Sequence, residues 1–465
     1  MSLVPLSLNL RSNPARFGHA GAARLINCYA EETGNEAKNK YMIVGCDGLD
    51  DFVTLTDGGG IRAMLALTDA DLYTVSGRLL FRADQSGGQS TLGGIPSDGL
   101  VTMARNRAGT PQIAVVCDGL YFKVAGGVLS QMADPDLPPP TSVAFSSGFF
   151  VFQLADGRMF ASELDDTNVL PTDFATANSN PDGGMRVFTR GEDLISFGTR
   201  SVEFWRDEGG EAFPFGKTTS REVGLLAAGA VATVNETVAF VAHDGTVRML
   251  QGYDAQRISH HAVERAIADD PSPSAITACS WQSRGHTFLS LSGTAWTWEY
   301  NATTGMWHER KSYASDRWRV SQAVQFGNRR VLGDYATGKL YTLNADAVAS
   351  TALTEQQLMV DWSDDGGANF SSQRMITIGA VGERQRRVRT NRLGVAMSRT
   401  YRLSLAVAAD AGDHAIMTVQ MPPVTAYPNR MVHSALYVDV VPGLGPQANG
   451  RAILSAFVDA DKVAA

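Results

Sequence analysis

The chain has 465 residues, of which 44% are hydrophobic and 19% are charged, and its formal net charge is −8. This composition is that of a globular protein long enough for two or three domains. The acidic balance argues against a sequence-reading DNA-binding protein, whose footprint would be basic, although an acidic wall could face DNA and repel it. The longest apolar run, residues 223–234, is too short to span a bilayer, and we expect neither a signal peptide nor membrane insertion.

The first 50 residues predict an extended N-terminal arm that leads into the first strands. Its polar side chains are spread through a Gly- and Ala-rich segment and include Asn9, Arg11, Asn13, Arg16 and Arg24. Such a segment is too polar to bury a core of its own. We therefore expect it to become ordered against a neighbouring molecule, with Arg11, Arg16 and Arg24 as candidate contact residues.

A hairpin pattern recurs between residues 71 and 343. In each copy two short alternating apolar runs flank a tight turn, where Gly can supply a positive φ. The turns are Ser76-Gly77, Asp118-Gly119, Asp156-Gly157, Gly198, Asp244-Gly245, Ser292-Gly293 and Thr337-Gly338. Their glycines are 38 to 48 residues apart, a spacing typical of β-propeller blades. The sequence therefore predicts a mainly β fold with a propeller of six or seven blades over residues 51–347.

Two local features within the repeats have a competing catalytic or metal-binding interpretation. His243 and Asp244 could be catalytic groups at a loop tip, but six other places carry the same turn pattern, which favours a blade turn. A helix is expected within residues 259–273, with Ser259 as its N-cap and its end before the first proline, Pro271. Within it His261 and Glu264 match part of a zinc-protease motif whose second histidine is missing, so we interpret it as a solvated helix.

The repeat spacing stops near residue 348, and residues 348–465 predict an additional C-terminal β-sandwich-like domain. At its start SDDGGANF (363–370) fits an Asp-box, a turn motif in which the aspartate caps backbone N–H groups. We interpret this single copy as a stabilised hairpin rather than as evidence for a glycosidase.

Opposite charges in this domain are candidate subunit contacts. Asp364 and Asp365 are followed by a basic run, RQRRVRTNR, that contains Arg384, Arg386, Arg387 and Arg389. On a strand Arg384 and Arg386 share one face while Arg387 and Arg389 share the other, so one continuous patch does not follow. A solvated strand and a subunit interface both remain open. Head-to-tail packing of copies could bring the two charges together.

The sequence contains no pattern that assembles a catalytic, metal-binding or cofactor-binding site. Glycoside hydrolysis needs two carboxylates that flank the scissile bond. Adjacent carboxylates diverge on a strand, and each such pair lies beside turn residues: Asp165-Asp166, Asp269-Asp270 and Asp364-Asp365. Trp296 and Trp298 indicate blade core rather than a glycan platform. The cysteines are far apart and predict free thiols: Cys28, Cys46, Cys117 and Cys279.

Several stretches, in order along the chain, carry a family resemblance. They include RLINCYAEET (24–33), IRAMLALTDADLYTVSG (61–77), LGGIPSDGLVTMARN (92–106), ASELDDTNVLPTDFATANSNPDG (161–183), FGTRSVEFWRDEGGEAFPF (197–215), HDGTVRMLQGYDAQRISHHAVERAI (243–267) and WTWEYNATTGMWHER (296–310). These stretches resemble the tail-hub, or nozzle, proteins of short-tailed bacteriophages, also called packaged-DNA stabilisation proteins.

The resemblance implies a structural virion protein that is not an enzyme and needs no cofactor. Several copies, typically six, would form a ring below the portal and its adaptor and continue the DNA channel. The ring would retain packaged DNA without sequence-specific binding and contact the tail needle or plug and the fibres or spikes. The implied location is the virion tail, after synthesis in the host bacterial cytoplasm.

Two other classes of protein share these sequence features. One is a propeller glycosidase or glycan-binding protein that acts on the host cell surface, and the other is a cellular propeller scaffold. Carboxylates and arginines that converge in one propeller mouth would favour the enzyme.

For assembly we expect that deletion of residues 1–30, or charge reversal at Arg386 and Arg387, impairs incorporation into the tail while leaving a folded propeller.

Overall fold

The structure is a computed structural model that describes residues 3–34, 40–177, 182–210, 213–344, 357–379, 385–410, 413–425, 429–442 and 451–463. Most of these residues form antiparallel strands arranged as a propeller and a sandwich. Before the first blade the chain forms a short 3-10 turn (Gly18–Ala20) and the strands β1 (Leu3–Leu6), β2 (Arg24–Ile26), β3 (Cys28–Glu32), β4 (Tyr41–Gly45) and β5 (Gly48–Gly59).

The first three blades are consecutive four-stranded antiparallel sheets. Blade 1 contains β6 (Ile61–Ala66), β7 (Leu72–Ser76), β8 (Leu79–Ala83) and β9 (Gln89–Gly94). Blade 2 contains β10 (Val101–Arg105), β11 (Gln112–Cys117), β12 (Leu120–Ala125) and β13 (Val128–Met132). Blade 3 contains β14 (Pro140–Ser146), β15 (Phe149–Leu154), β16 (Arg158–Ser162) and β17 (Val169–Thr176).

The remaining four blades continue the same order. Blade 4 contains β18 (Gly184–Arg190), β19 (Asp193–Gly198), β20 (Val202–Asp207) and β21 (Phe215–Arg221). Blade 5 contains β22 (Val231–Val234), β23 (Thr237–Val241), β24 (Val247–Gln251) and β25 (Asp254–Arg257). Blade 6 contains β26 (Thr277–Ser283), β27 (His286–Ser292), β28 (Thr297–Asn301) and β29 (Met306–Glu309). Blade 7 contains β30 (Val320–Phe326), β31 (Arg329–Asp334), β32 (Thr337–Asn344) and β5.

The second strand of each blade explains why the blades stack. Successive strand residues point to opposite faces, so Val115 packs toward blade 1 while Val116 packs toward blade 3. Phe240 and Val241 divide in the same way between blades 4 and 6. Seven apolar cores of this kind lie between neighbouring blades, one for each pair around the propeller. Both faces of these strands are therefore buried, which explains their nearly continuous apolar sequence.

The propeller is closed by a strand from the N-terminal side of the chain. β5 pairs antiparallel with β32, with Val53 opposite Leu340, and supplies the fourth strand of blade 7. The chain then enters blade 1 through Gly60, where an added Cβ would lie 2.0 Å from the Tyr335 carbonyl oxygen. Only glycine can occupy such a close approach. The predicted propeller is confirmed, and the blade number is seven.

The predicted turns all belong to the hairpins between the second and third strands of the blades. Two details differ: Gly198 is the last residue of β19, and Gly338 lies inside β32, so that the turn before Gly338 is formed by Tyr335 and Ala336. There the Asp334 carboxylate accepts a hydrogen bond from the Ala336 N–H at 2.8 Å. A carboxylate cap therefore replaces the glycine at this turn.

The helix between blades 5 and 6 is shorter than expected and has a different cap. α1 spans His261–Ala268, and its N-cap is His260, whose Nδ1 accepts from the Ala262 N–H at 3.2 Å. Ser259 instead accepts from the Val247 N–H at 3.0 Å and donates to Glu264. The helix buries Val263 and Ile267 in the core between blades 5 and 6. A second 3-10 turn, Pro273–Ala275, follows.

Two sheets form the sandwich and enclose one core. Its later strands are β33 (Gln357–Ser363), β34 (Arg374–Thr377), β35 (Arg386–Ala396), β36 (Ser398–Asp410), β37 (Asp413–Gln420), β38 (Val424–Thr425), β39 (Arg430–Val441) and β40 (Ala452–Val463). One sheet has the order β3-β4-β40-β39-β35, with β1 also paired to β40. The other contains β34-β33-β36-β37-β2, with β38 paired to β36. The expected boundary near residue 348 lies outside the described residues.

The N-terminal segment is part of this sandwich, which differs from the expected extended arm. β1, β3 and β4 belong to one sheet, and β2 belongs to the other. Leu25, Cys28 and Ile43 are fully buried in the sandwich core. Leu3 and Phe17 are exposed, but the buried apolar residues of this segment are enough for the chain to order its own N-terminus. Because β2 also pairs with β29, the segment joins the sandwich to blade 6.

Candidate functional site

The basic run lies at the edge of the sandwich. β35 is the terminal strand of its sheet, and Arg387 and Arg389 share its outer face while Val388 and Thr390 are buried. Arg387 is paired with Asp439 within the chain, with Nε 2.6 Å from Oδ1. Arg389 lies 5.2 Å from the ring centre of Tyr437.

Arg386 is exposed at the start of β35, and Arg384 lies outside the described residues. The structure therefore has an exposed basic edge in which the charge of Arg387 is already neutralised.

The acidic pair also has partners within the chain. Asp364 accepts two hydrogen bonds from Arg399, at 2.6 and 2.7 Å. Asp365 accepts from Ser363 Oγ at 2.6 Å and from the Asn369 N–H at 2.9 Å. These hydrogen bonds, led by that of the Asn369 backbone, hold the pKa of Asp365 well below its usual value. The Asp-box is thus a stabilised turn between β33 and β34, as the sequence predicted.

Of the N-terminal arginines, Arg24 is bonded within the chain and the others are exposed. Arg24 Nε donates to Glu309 Oε1 at 2.9 Å, and Ser12 donates to the same oxygen at 2.6 Å. Arg11 and Arg16 are exposed. Together Ser12 and Arg24 bond the N-terminal segment to the last strand of blade 6.

The structure contains a buried polar network that the sequence interpretation missed. Glu299 is fully buried in blade 6, where its Oε2 lies 2.9 Å from His308 Nε2 and 3.4 Å from Arg310 Nη1. Ser290 donates to its other oxygen at 2.5 Å. Burial alone would raise the pKa of Glu299, but Arg310 and the hydrogen bonds from His308 and Ser290 lower it to about 2. The carboxylate is therefore charged and fully bonded at neutral pH.

This network extends to the connection between sandwich and propeller. Arg310 donates to the Asp47 carbonyl at 2.7 Å, and its guanidinium lies 4.0 Å from the ring centre of Trp318. Arg284 pairs with the Asp47 carboxylate at 3.0 Å. Asp47 lies between β4 of the sandwich and β5 of the propeller, so these bonds fix the point where the chain passes from one domain to the other.

The same network contains a group of possible metal ligands. One ligand atom each of Cys46, Glu299 and His308 lies within 4.8 Å of the others, a donor set that can suit Zn²⁺. The Arg310 guanidinium beside Glu299 would repel a cation. Burial raises the pKa of the Cys46 thiol to about 12, which disfavours the thiolate that binds metal. The donor set therefore fits a buried ion network better than a metal centre.

The residues with a competing chemical interpretation have structural roles. The Asp166 carboxylate accepts from the Thr167 N–H at 2.6 Å, and Asp270 accepts from the Thr294 N–H at 2.8 Å. Trp298 is buried in the core between blades 5 and 6, and Trp296 packs against that core. The four cysteines are buried and free. In the described part of the chain, no helix is long and apolar enough to cross a membrane.

Fold and sequence together define a class: a seven-bladed propeller joined to a β-sandwich that incorporates the N-terminal strands. The family model described as "Bacteriophage P22 Gp10, beta-propeller" matches residues 24–348, and the model described as "Bacteriophage P22 Gp10, beta-sandwich" matches residues 331–413. The chain belongs to the P22 Gp10 family, a structural phage tail family. It is a P22 Gp10-like tail protein.

Solved structures with a similar fold include several propellers. The WD40 propeller domain of Doa1 is 10% identical, with a TM-score of 0.43, over 64% of this chain and 96% of that chain. The propeller domain of Cps50 (Swd1) from Myceliophteria thermophila is 10% identical, with a TM-score of 0.45, over 64% of this chain and 99% of that chain. A search of curated protein sequences gives no match. The propeller assignment depends on the strand pairing described above.

Proposed function

We propose that this protein assembles as a ring-shaped tail hub, or nozzle, below the portal and its adaptor and continues the channel for DNA. The observation that carries the proposal is the match of both P22 Gp10 domains, in order, to this single chain. In this proposal about six copies form the ring, retain packaged DNA until ejection and contact the tail needle or plug and the fibres or spikes. DNA passes through without sequence-specific recognition.

Ring formation needs surface outside the propeller discs. A propeller has short, protected edges, so contacts between copies fall to the segments that its blades do not use. In this chain those segments are the sandwich and the N-terminal residues that are bonded to it. We therefore assign the contacts between copies, or with the adaptor, to the exposed edge of β35 and to the segment between β1 and β2, residues 7–23, here called the N-terminal loop.

The charges of these surfaces favour an acidic partner. Arg386 and Arg389 on β35, and Arg11 and Arg16 in the N-terminal loop, are exposed. Arg24, Asp364 and Arg387 form ion pairs within the chain, so their first role is to stabilise the fold of the single chain. Exposed arginines suit planar, two-pronged contacts with carboxylates. Because this chain has a net charge of −8, another copy of it has an excess of carboxylates that could pair with these arginines.

We also propose that the protein has no hydrolase activity. The carboxylate pairs that could have served a glycosidase cap turns or form ion pairs, as Asp166, Asp270 and Asp364 do. Incubation with polysaccharide from the host surface should release no sugar ends. Release that disappears on Asp365→Asn would instead support the glycosidase alternative.

A complementation experiment tests the hub proposal. A phage that lacks this gene is supplied with the wild-type chain, with Arg11→Glu/Arg389→Glu, or with Arg78→Glu as a control that changes an exposed propeller arginine paired with Asp98. We expect the double variant to fold normally in isolation, as judged by circular dichroism, but to enter few particles. Those particles should lose packaged DNA, measured as DNase-protected genome copies.

Two results would contradict the proposal. Wild-type chain that is absent from the tail of intact particles, seen by electron microscopy, would remove the hub assignment. Normal assembly of the double variant would leave the hub assignment in place and remove these contact surfaces.

A further inference from the structure

A cavity of about 390 Å³ lies at the centre of the propeller. It is lined by the first strands of blades 1, 2, 3, 4 and 7. Three arginines line it, Arg105 and Arg107 from blade 2 and Arg186 from blade 4, and no aspartate or glutamate is among the described lining residues. In a chain with a net charge of −8, this is a local excess of positive charge inside the ring of blades.

Arg186 is the most buried of these three arginines. Its Nη1 donates to the Ala228 carbonyl at 2.7 Å, and its guanidinium lies 5.3 Å from the ring centre of Phe188. Its Nε is buried and has no hydrogen-bond partner among the described residues. Burial lowers the pKa of Arg186 to about 10, so the side chain still carries its charge at neutral pH.

A half-buried cation that contains a buried, unused donor is costly to leave uncompensated. Two other buried arginines of this chain have a carboxylate partner, since Arg310 pairs with Glu299 and Arg399 with Asp364, whereas the buried Arg451 donates to backbone carbonyls. Arg186 has a carbonyl, an aromatic ring and an adjacent cavity instead. An anion in that cavity would supply the missing countercharge to the guanidinium.

We propose that the central cavity of the propeller binds a small oxyanion of the phosphate type, with Arg186 as its main contact. A guanidinium forms strong, charge-assisted hydrogen bonds with such oxygens. Arg105 and Arg107 line the same cavity and raise the local anion concentration. Thr102 and Gln322, which also line it, add neutral polar groups.

The size of the cavity restricts the source of this phosphate. A volume of about 390 Å³ accommodates an inorganic phosphate with water but not a folded partner or a nucleic-acid duplex. The proposal is therefore free phosphate, and the phosphate groups of single-stranded DNA are the second source that the experiment must separate. The inference concerns the inside of the propeller and does not depend on ring assembly.

The test is calorimetric titration of the full-length chain with sodium phosphate, against sodium chloride at the same ionic strength. We expect saturable binding by the wild type and at least about tenfold weaker binding by Arg186→Gln, because a charged hydrogen bond is lost. Gln322→Glu, which is nearly isosteric, should weaken binding similarly by placing a carboxylate in the cavity. Arg78→Gln removes an exposed propeller charge and should bind phosphate like the wild type.

Each alternative result has a defined meaning. Absence of saturable binding by the wild type, or unchanged binding by Gln322→Glu and a folded Arg186→Gln, would overturn the proposal. If Arg186→Gln does not fold, Gln322→Glu decides the outcome alone. A parallel titration with an eight-residue oligothymidylate separates the sources: binding that Gln322→Glu weakens would make nucleic-acid phosphate the ligand and overturn the free-phosphate assignment. If Gln322→Glu leaves oligothymidylate binding unchanged, the result would support free phosphate as the ligand of the cavity.

Discussion

Arg24 and Glu309 join the two domains: Arg24 Nε donates to Glu309 Oε1 at 2.9 Å, directly beside the point where β2 and β29 pair. The first residue lies in a strand that completes the sandwich, and the second ends blade 6. Ser12 donates to the same carboxylate oxygen. One acidic group therefore holds the N-terminal segment against the propeller from two places.

Replacement of Arg24 by alanine should weaken this junction. Glu309 is buried and would keep only the Ser12 hydrogen bond, and loss of a charged hydrogen bond at such a site costs about 1.5–3 kcal/mol. We expect a lower melting temperature in scanning calorimetry and earlier separation of the two domain transitions. Arg78→Ala, which breaks an exposed ion pair with Asp98, is the control and should leave the profile unchanged. A profile of Arg24→Ala that matches the control would show that the junction depends on the backbone pairing alone.

Deletion of residues 1–30 should unfold the sandwich. The deletion removes β1, β2 and part of β3, and with them Leu6, Leu25 and Cys28 from the sandwich core. The propeller retains β5 and all seven blades, so it should stay folded. Limited proteolysis should then cut the C-terminal domain rapidly and leave a resistant fragment of the propeller. A sandwich that resists proteolysis after the deletion would contradict the assignment of these strands.

This expectation also changes how an assembly defect of the deletion is interpreted. Loss of incorporation would follow from an unfolded sandwich even if the N-terminal residues contact no other molecule. Charge reversal at Arg11 or Arg16, which are exposed, tests the contact without removing core residues.

The propeller could be predicted from sequence because its signals are local. Each hairpin turn and its flanking runs lie within about a dozen residues, as at Asp118-Gly119 between β11 and β12. The exact blade number could not be predicted, because blade 7 depends on pairing between Val53 and Leu340. That register joins residues far apart in the sequence, and neither strand alone indicates its partner.

In the sandwich, pairing between strands that are distant in the sequence is even more important, and it could not be predicted. Arg24 lies opposite Gln420 in the β2–β37 pair, and nothing near either residue predicts this. The partner of Asp364 inside the chain is another case, because Arg399 lies on the separate strand β36. The expected contact of Asp364 with another copy stays a prediction. By contrast, Glu299 and His308 are cross-strand partners in a local hairpin. Their pairing could therefore have been predicted from the strand register within WTWEYNATTGMWHER.

The Glu299 network should make a large contribution to propeller stability. Glu299→Gln would leave Arg310 buried without its countercharge, and breaking a buried pair in this way costs about 3–5 kcal/mol. The pKa of Glu299 is lowered from 4.5 to about 2, so its contribution is present above pH 4.5 and is lost as the pH falls toward 2. Urea denaturation at neutral pH checks the size of the effect. Asp98→Asn, at an exposed pair, should unfold like the wild type, and equal midpoints for both variants would contradict the prediction.

The sandwich should lose stability in mild acid because of a buried histidine. His433 on β39 packs across the core against Tyr401 on β36, with Nδ1 2.8 Å from the hydroxyl oxygen. Its Nε2 is buried without a hydrogen-bond partner among the described residues. Burial, with the nearby charge of Arg399, lowers the pKa of His433 from 6.5 to about 4.

The sign of the effect follows from proton binding in the two states. Between pH 6.5 and 4 the unfolded chain binds a proton at His433 that the native state does not, so stability falls as the pH falls. The full difference amounts to about 3 kcal/mol at most. His433→Gln keeps a hydrogen-bonding group near Tyr401 but does not titrate, and its denaturation midpoint should change less over this window. His260 has a similarly lowered pKa but lies in the propeller, so the difference between wild type and His433→Gln isolates the sandwich. Parallel pH profiles for the two proteins would show that His433 is not responsible.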